Sequence, residues 1–420
     1  MGGQIVKRIF FYLLVLILSI GVAYDLLSTW RGVSLLRPPY PSEEIFFKAL
    51  RLAPSNPDPF HGLSLFYQWD FRSTDLGKSL SFLHQAIERN PLEQTYWINL
   101  AKVHQRLGEK KAFEQALENA IFVNPTSYQG RWLAGNMFLQ EEDIPKALPH
   151  FSYLLRHYPE QSSLVYDVWL KVADDPDFLL ERLVLEDPSS LKSYLSYLYE
   201  NNDSGSAKKV WQKRASLGLK ADRSETLRHI DFLISRNEFG EAMDVWKARL
   251  QEEGLSLPSD GNLITNGGFE KEKILGGGFD WKIGEVRGAK VAFDRSVAFE
   301  GKGSIRIAFD GKENIDFHHI YQIVLLKPNT DYLLKAYVRT KGISTKNGPK
   351  IEVYGIGSAF HASSESVVGD HDWMELSVIF RTTLESQAGV VRVRREKTDK
   401  FDRLISGTVW IDDVRLTEHP

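Results

Sequence analysis

A chain of 420 residues is too long for one core and suggests about three units at the usual ~150 residues each. Its 43% hydrophobic and 25% charged content is that of a folded globular protein, and 52 basic against 55 acidic residues give a formal charge of −3, without the basic field that holds nucleic acid. Zero cysteines exclude disulfides, thiolate zinc and iron–sulfur sites, thiol catalysis and an acylated lipoprotein anchor.

Ile9 to Tyr24 run without a charge behind Lys7 and Arg8, and Leu26 and Leu27 extend the run past Asp25. As a helix, Ile9–Tyr24 rises about 24 Å, approaching the ~30 Å of a bilayer core. Residues 1–30 are therefore expected to form a membrane segment, with residues 9–27 in contact with the membrane. Two readings stay open: an uncleaved anchor, since no polar stretch interrupts the run, or a signal peptide cut near Gly21 and Ala23. Lys7 and Arg8 hold the N-terminus in the cytoplasm, against a weaker opposing bias from Arg31 and Arg37, so the bulk of the chain is expected outside the cytoplasm.

From about residue 40 to 255 a period governs the sequence. Ala86-Ile-Glu-Arg-Asn-Pro91, Ala120-Ile-Phe-Val-Asn-Pro125 and Leu154-Leu-Arg-His-Tyr-Pro159 place prolines 34 residues apart. An earlier copy, Ala49 to Pro54, lies 37 residues before Pro91, which predicts a short insertion near Arg72 to Asp75. Each proline stops a helix, because it has no N–H for the ladder. Trp97, Leu100 and Ala101 in one copy, and Gly135, Phe138, Ala147 and Phe151 in the next, alternate small and large residues as antiparallel helix pairs require. These segments resemble the tetratricopeptide repeat (TPR), most closely over residues 60–159. The copies drift over 160–190, then Ala207 with Trp211 and Ala242 with Trp246 restore the pattern, giving six or seven pairs in an α-solenoid. The resemblance implies a groove that binds a protein partner. His104, His150 and His157 have no metal-ligand spacing and are expected on solvated faces.

The segment Leu255 to Asp260 ends the helical pattern. Short alternating runs follow: Ser304–Phe309, Tyr321–Leu326, Tyr332–Thr340, Lys350–Tyr354, Met374–Arg381, Gly389–Arg394 and Thr408–Leu416. Seven or eight strands parted by Gly, Asn, Asp and Pro turns indicate an antiparallel β-sandwich of jelly-roll type over 262–420. Asn262 to Glu270, Gly303 to Ile307, Pro328 to Tyr332, Trp373 and Trp410 to Val414 resemble carbohydrate-binding modules of the family 4/9 type, within the galactose-binding-like fold. That resemblance implies a structural calcium ion at Glu270 and Asp412. Alternation places Trp410, Asp412, Val414 and Leu416 on one face.

A sugar-binding face needs aromatic rings ringed by planar polar groups. Alternation nominates His319, Tyr321, Tyr337, Arg339, Glu352, Tyr354, Arg392 and Arg394, while any sandwich also carries such residues on its solvated side. Trp281 and Trp373 are expected in the core. His318 and His319, as strand neighbours, should point to opposite faces. No nucleophile elbow, phosphate loop, His-Glu-x-x-His or marked carboxylate pair is found, so no catalytic residue is nominated.

The domain order is similar to bacterial envelope proteins associated with exopolysaccharide, with Gly278-Phe-Asp-Trp281 and Gly348 to Val353 adding to the likeness. Its implication is a non-catalytic scaffold anchored in the inner membrane, or secreted if cut near Ala23, with repeats that bind a protein and a sandwich that contacts a glycan. A pure protein–protein assembly factor and a glycan-modifying enzyme are the alternatives.

Overall fold

The computed structural model describes residues 2–36, 42–173, 175–184, 186–258 and 260–419, with side chains from Phe10 onward. Arg37 and Ser259 lie outside the described residues. The chain divides into two compact units, Met1–Tyr197 and Leu198–Pro420. The change of sequence pattern near residue 255 therefore falls inside the second unit.

The first unit is helical. Helix α1 (Gly2–Ser34) runs unbroken through Gly21 and Ala23, and from Phe10 it is long and apolar enough to cross a membrane. Its apolar side chains are exposed all round, an arrangement suited to lipid. There follow α2 (Glu43–Leu52), α3 (Asp58–Trp69), α4 (Leu76–Arg89), α5 (Gln94–Leu107), α6 (Lys110–Val123), α7 (Tyr128–Gln140), α8 (Ile144–His157), α9 (Ser162–Ala173), α10 (Pro176–Arg182) and α11 (Pro188–Glu200), whose last residues enter the second unit. The starts of α5, α7 and α9 are 34 residues apart, as are those of α4, α6 and α8. Helices α4, α6 and α8 close the same way: the N–H of Asn90, Asn124 or Tyr158 reaches back to Ala86, Ala120 or Leu154.

The expected insertion is the turn between α3 and α4, where Asp70 accepts the Arg72 N–H at 2.8 Å and Asp75 caps α4 through the Lys78 N–H at 2.9 Å. Gly135 shows why small residues recur: a Cβ there would lie 2.7 Å from the Phe151 ring. The drift over 160–190 is visible as a helix, α10, of only seven residues. Two histidines depart from expectation. His104 is buried against Glu109 at 2.6 Å, and His150 stacks on Phe138, its pKa pushed down to about 4 by desolvation and then by Arg131. Both serve packing; His157 is exposed.

The second unit joins α12 (Ser204–Ser216), α13 (Arg223–Ser235) and α14 (Phe239–Glu252) to ten strands. These are β1 (Lys282–Ile283), β2 (Ala289–Asp294), β3 (Ser304–Asp310), β4 (Phe317–Leu325), β5 (Asp331–Ile343), β6 (Lys350–Gly355), β7 (His361–Ser363), β8 (Gly369–Arg381), β9 (Ala388–Arg395) and β10 (Ser406–Glu418). They form two five-stranded antiparallel sheets, ordered β1-β4-β9-β6-β7 and β2-β3-β10-β5-β8. Ile305, Ile307, Phe317, Leu334, Val353, Val393, Val409 and Ile411 fill the space between them.

A second core joins helices to sandwich. Trp246, Ile230, Leu233 and Leu250 pack with Leu275 and Phe279 and with Ile323, Ala388 and Val390 on the outer face of the first sheet. The Gly276–Trp281 stretch is the connecting plate. Gly278 has φ 59°, and a Cβ on it would lie 2.9 Å from the Trp246 ring, so only glycine fits. Phe279 meets Trp246 edge-on at 6.1 Å, Asp280 accepts N–H bonds from Ile274 and Gly276 at 2.7 and 3.0 Å, and Trp281 turns toward the sandwich core.

Candidate functional site

Strand alternation sends His319 and Tyr321 from β4, Glu352 and Tyr354 from β6, and Arg392 and Arg394 from β9 to the outer face of the first sheet. Register brings them together: Tyr321 and Glu352 flank Arg392 across the ladder, and Tyr354 pairs with His361 on β7. Helices α13 and α14 cover the Ile323–Val390 half of this face and reach the edges of Tyr321 and Tyr354. The other half stays polar. Tyr337 and Arg339 lie on the second sheet, so six of the eight nominated residues form one cluster and two do not.

Glu352 anchors the cluster. It is 1% exposed, accepts from Arg392, and is 2.7 Å from His361 Nε2 and 3.9 Å from Arg394 Nε. Desolvation opposes its charge, but bonds from His361 and Arg392 outweigh that and hold its pKa below the ordinary carboxylate value. The Arg392 guanidinium lies over the Tyr354 ring, 4.6 Å from its centroid. Arg394 donates to Asp316 and to the Phe317 carbonyl. Lys282 of β1, 3.6 Å from Asp231 of α13, closes the helix side. The face thus has two tyrosine rings at its edge and, at its centre, Arg392 and the exposed His361 held by the buried Glu352. His361, a member of this network, was not nominated from sequence, because β7 is too short to show alternation.

His318 and His319 stack at 4.6 Å rather than parting, because the register slips between Phe317 and Ile320. Desolvation, then His318, lowers the His319 pKa.

On the second sheet Tyr337 stacks face to face on Phe299, centroids 3.6 Å apart, with Trp373 edge-on to Phe299 at 5.9 Å. Arg339 pairs with Asp372 at 3.5 Å. Trp373 is therefore an outer-face residue, not a core one. Trp410, paired with Arg306 and Arg339 across the ladder, also faces outward and donates to Asp294 at 2.9 Å. A bulge at Asp412–Asp413, where Asp413 has φ 46°, inverts the alternation before Val414 and Leu416 and separates them from Trp410.

Asp412 is fully buried. Its Oδ2 accepts the Phe299 and Glu300 N–H groups at 2.7 and 3.1 Å, and Oδ1 accepts the Asp413 N–H at 2.7 Å. Desolvation raises its pKa in spite of these bonds. Glu270 Oε1 accepts from Lys302 and Gly303 at 2.7 and 3.2 Å. Both acids thus hold the 299–303 turn, and they flank Gly268: a Cβ there would sit 3.8 Å from Asp412 Oδ1 and 3.9 Å from Glu270 Cγ. Among the described residues no group of three or more His, Asp or Glu assembles as metal ligands. Hard carboxylate oxygens suit calcium, and any such ion would take its remaining ligands from carbonyls and water.

No family model matches the chain. A curated relative, the tRNA(Glu)-specific nuclease WapA of Bacillus subtilis subsp. natto (strain BEST195), is 23% identical over 168 residues, covering 38% of this chain. The chain spans 7% of that relative's length. A solved Family 16 Carbohydrate Binding Module-2 is similar over its whole length and 37% of this chain, at 22% identity and TM-score 0.26. The crystal structure of MamA is similar over 86% of its chain and 42% of this one, at 14% identity and TM-score 0.26. Scores of this size establish neither a common fold nor a shared function.

Proposed function

We propose that the chain is a non-catalytic scaffold of the bacterial envelope, anchored by α1, whose TPR-like helix pairs bind a protein partner and whose sandwich contacts a glycan during exopolysaccharide assembly or export. The observation that carries the glycan reading is the polar half-face. Arg392 and His361 are locked by the buried Glu352 into one network on a sheet face, a preorganised set of planar groups suited to sugar hydroxyls, and Tyr321 and Tyr354 lie at its edge. Anchoring is supported by the unbroken course of α1 through Ala23. Calcium belongs to the same proposal. Glu270 and Asp412 would hold it, and its charge would ease the burial of Asp412.

A specific observation also favours the assembly-factor reading: half of the sheet face is already spent on α13 and α14. Binding of the full chain in detergent to a polysaccharide panel separates the two. Saturable binding weakened by Arg392→Ala supports the glycan reading; absence of binding to every member moves the sandwich to a structural role.

A further inference from the structure

Helix α1 sets where the first unit meets a membrane. Counted from Ile9, the first residue after Lys7 and Arg8, the ~30 Å of a bilayer core takes about 20 helical residues and ends near Ser28. Trp30 and Arg31 follow at the depth where aromatic and basic side chains hold a helix among headgroups. Gly32 lies about 6 Å beyond Ser28, still within the headgroup layer. At that point α1 docks. Gly32 is buried against the last turn of α2, where a Cβ on it would lie 3.0 Å from the Ala53 Cβ and 3.3 Å from the Ala49 carbonyl oxygen. The end of α2 is thereby held at headgroup depth.

That end is one of a row. Residues 53–57, 90–93, 124–127 and 158–161 each follow the end of one helix and lead to the start of the next but one in the alternation, so they share one edge of the repeats. Side chains tie them in sequence: Arg89 Nε donates to the Pro54 carbonyl at 3.0 Å, Gln94 Nε2 to the Ala120 carbonyl at 2.8 Å, and the Tyr158 hydroxyl to the Thr126 carbonyl. Leu92 on this edge is 76% exposed, and Phe122, in the last turn of α6, is 86% exposed. Charge along the edge is mixed, Arg51, Arg89 and Arg156 standing beside Asp58, Glu93 and Glu160, so an anionic surface gains little there. Exposure alone does not select this edge, because Trp69 and Phe71 are exposed at the other end of α3, about 18 Å from its start. Each of those rings faces an arginine, Arg106 or Arg72, at 5.3 Å. The contact with Gly32 selects it.

We infer that this edge of the repeats rests on the lipid bilayer, with Leu92 and Phe122 inserted among the headgroups. The inference builds on the reading of α1 as an uncleaved anchor and adds a second membrane contact, which orients the helix pairs and leaves their opposite edge open to a partner.

The chain has no cysteine, so a single substitution places one fluorophore at one position. Leu26→Cys, Leu92→Cys, Phe122→Cys and Phe71→Cys, each labelled with nitrobenzoxadiazole in the full chain, are read in phosphatidylcholine nanodiscs with and without lipid spin-labelled near the headgroup. All four positions are exposed, so the melting temperature should not change. Labels at Leu26, Leu92 and Phe122 should be quenched at least about twofold more strongly than the label at Phe71. Quenching at Leu26, with Leu92 or Phe122 quenched no more than Phe71, would overturn the inference and leave the anchor standing. No quenching at Leu26 would refute the anchor and the inference with it.

Discussion

Trp246→Ala probes the joint between helices and sandwich. Trp246 is 0% exposed and touches α13, the glycine plate and the outer face of the first sheet. Burying about 250 Å² of aromatic surface at ~25 cal/mol/Å² would contribute about 6 kcal/mol. Two corrections lower this. The unfolded chain already hides part of that surface, and Trp246 Nε1 is buried without an acceptor, a cost of about 1–3 kcal/mol that the variant recovers. A net loss of about 3–4 kcal/mol remains, consistent with other Trp→Ala changes in cores. For a unit of this size that is a fall of roughly 10 °C in melting temperature. Differential scanning calorimetry gives the magnitude, and hydrogen exchange resolved by segment gives its location. Because α14, β4 and β9 share one core, their protection should fall together. Loss of protection confined to α13 and α14, with β9 unchanged, would refute the shared core.

Three further outcomes follow from ionisable groups. Glu352 has a depressed pKa in the folded chain, so its contribution is present above the ordinary value of 4.5 and is lost as pH falls through the folded value; the loss of stability between pH 5 and 3 should be shallower in Glu352→Gln. His229 is buried beside the Tyr199 hydroxyl at 2.9 Å, and desolvation takes its pKa down to about 4. Its neutral form is favoured by folding, so stability is complete above pH 6.5 and falls by up to about 3 kcal/mol as pH drops toward 4. A melting series over that window should show the fall in the native chain and a flatter profile in His229→Gln. Millimolar calcium should raise the melting temperature of the native chain but not of Asp412→Asn, and an equal response of both would remove the proposed ion.

The helical period was legible because a residue pattern repeats with each helix pair: proline stops, alanines and a glycine under Phe151 all answer to one packing geometry. The main strands were legible through alternation. What alternation could not show lies where it breaks. β1 and β7 are two and three residues long, too short to show a period. Bulges at Phe317–Ile320 and Asp412–Asp413 inverted the expected directions for His318 and Trp410. The covered half of the first sheet did leave a signal. Ile323-Val-Leu-Leu326 and Ala388-Gly-Val-Val391 are apolar on both faces, as strands buried on both sides are. The six clustered site residues were nominated by that same alternation, whereas the place of His361 in their network depends on tertiary proximity that no local pattern encodes.

The central claim is that the polar half-face of the first sheet holds a glycan. Full chain in detergent, titrated against a panel of bacterial polysaccharides with Arg392→Ala, Tyr354→Ala and Tyr337→Ala in parallel, tests it most directly. The account predicts saturable binding to at least one member, weakened by the first two substitutions and indifferent to Tyr337→Ala on the opposite sheet. Binding lost only with Tyr337→Ala, or unaffected by Arg392→Ala and Tyr354→Ala, would contradict it.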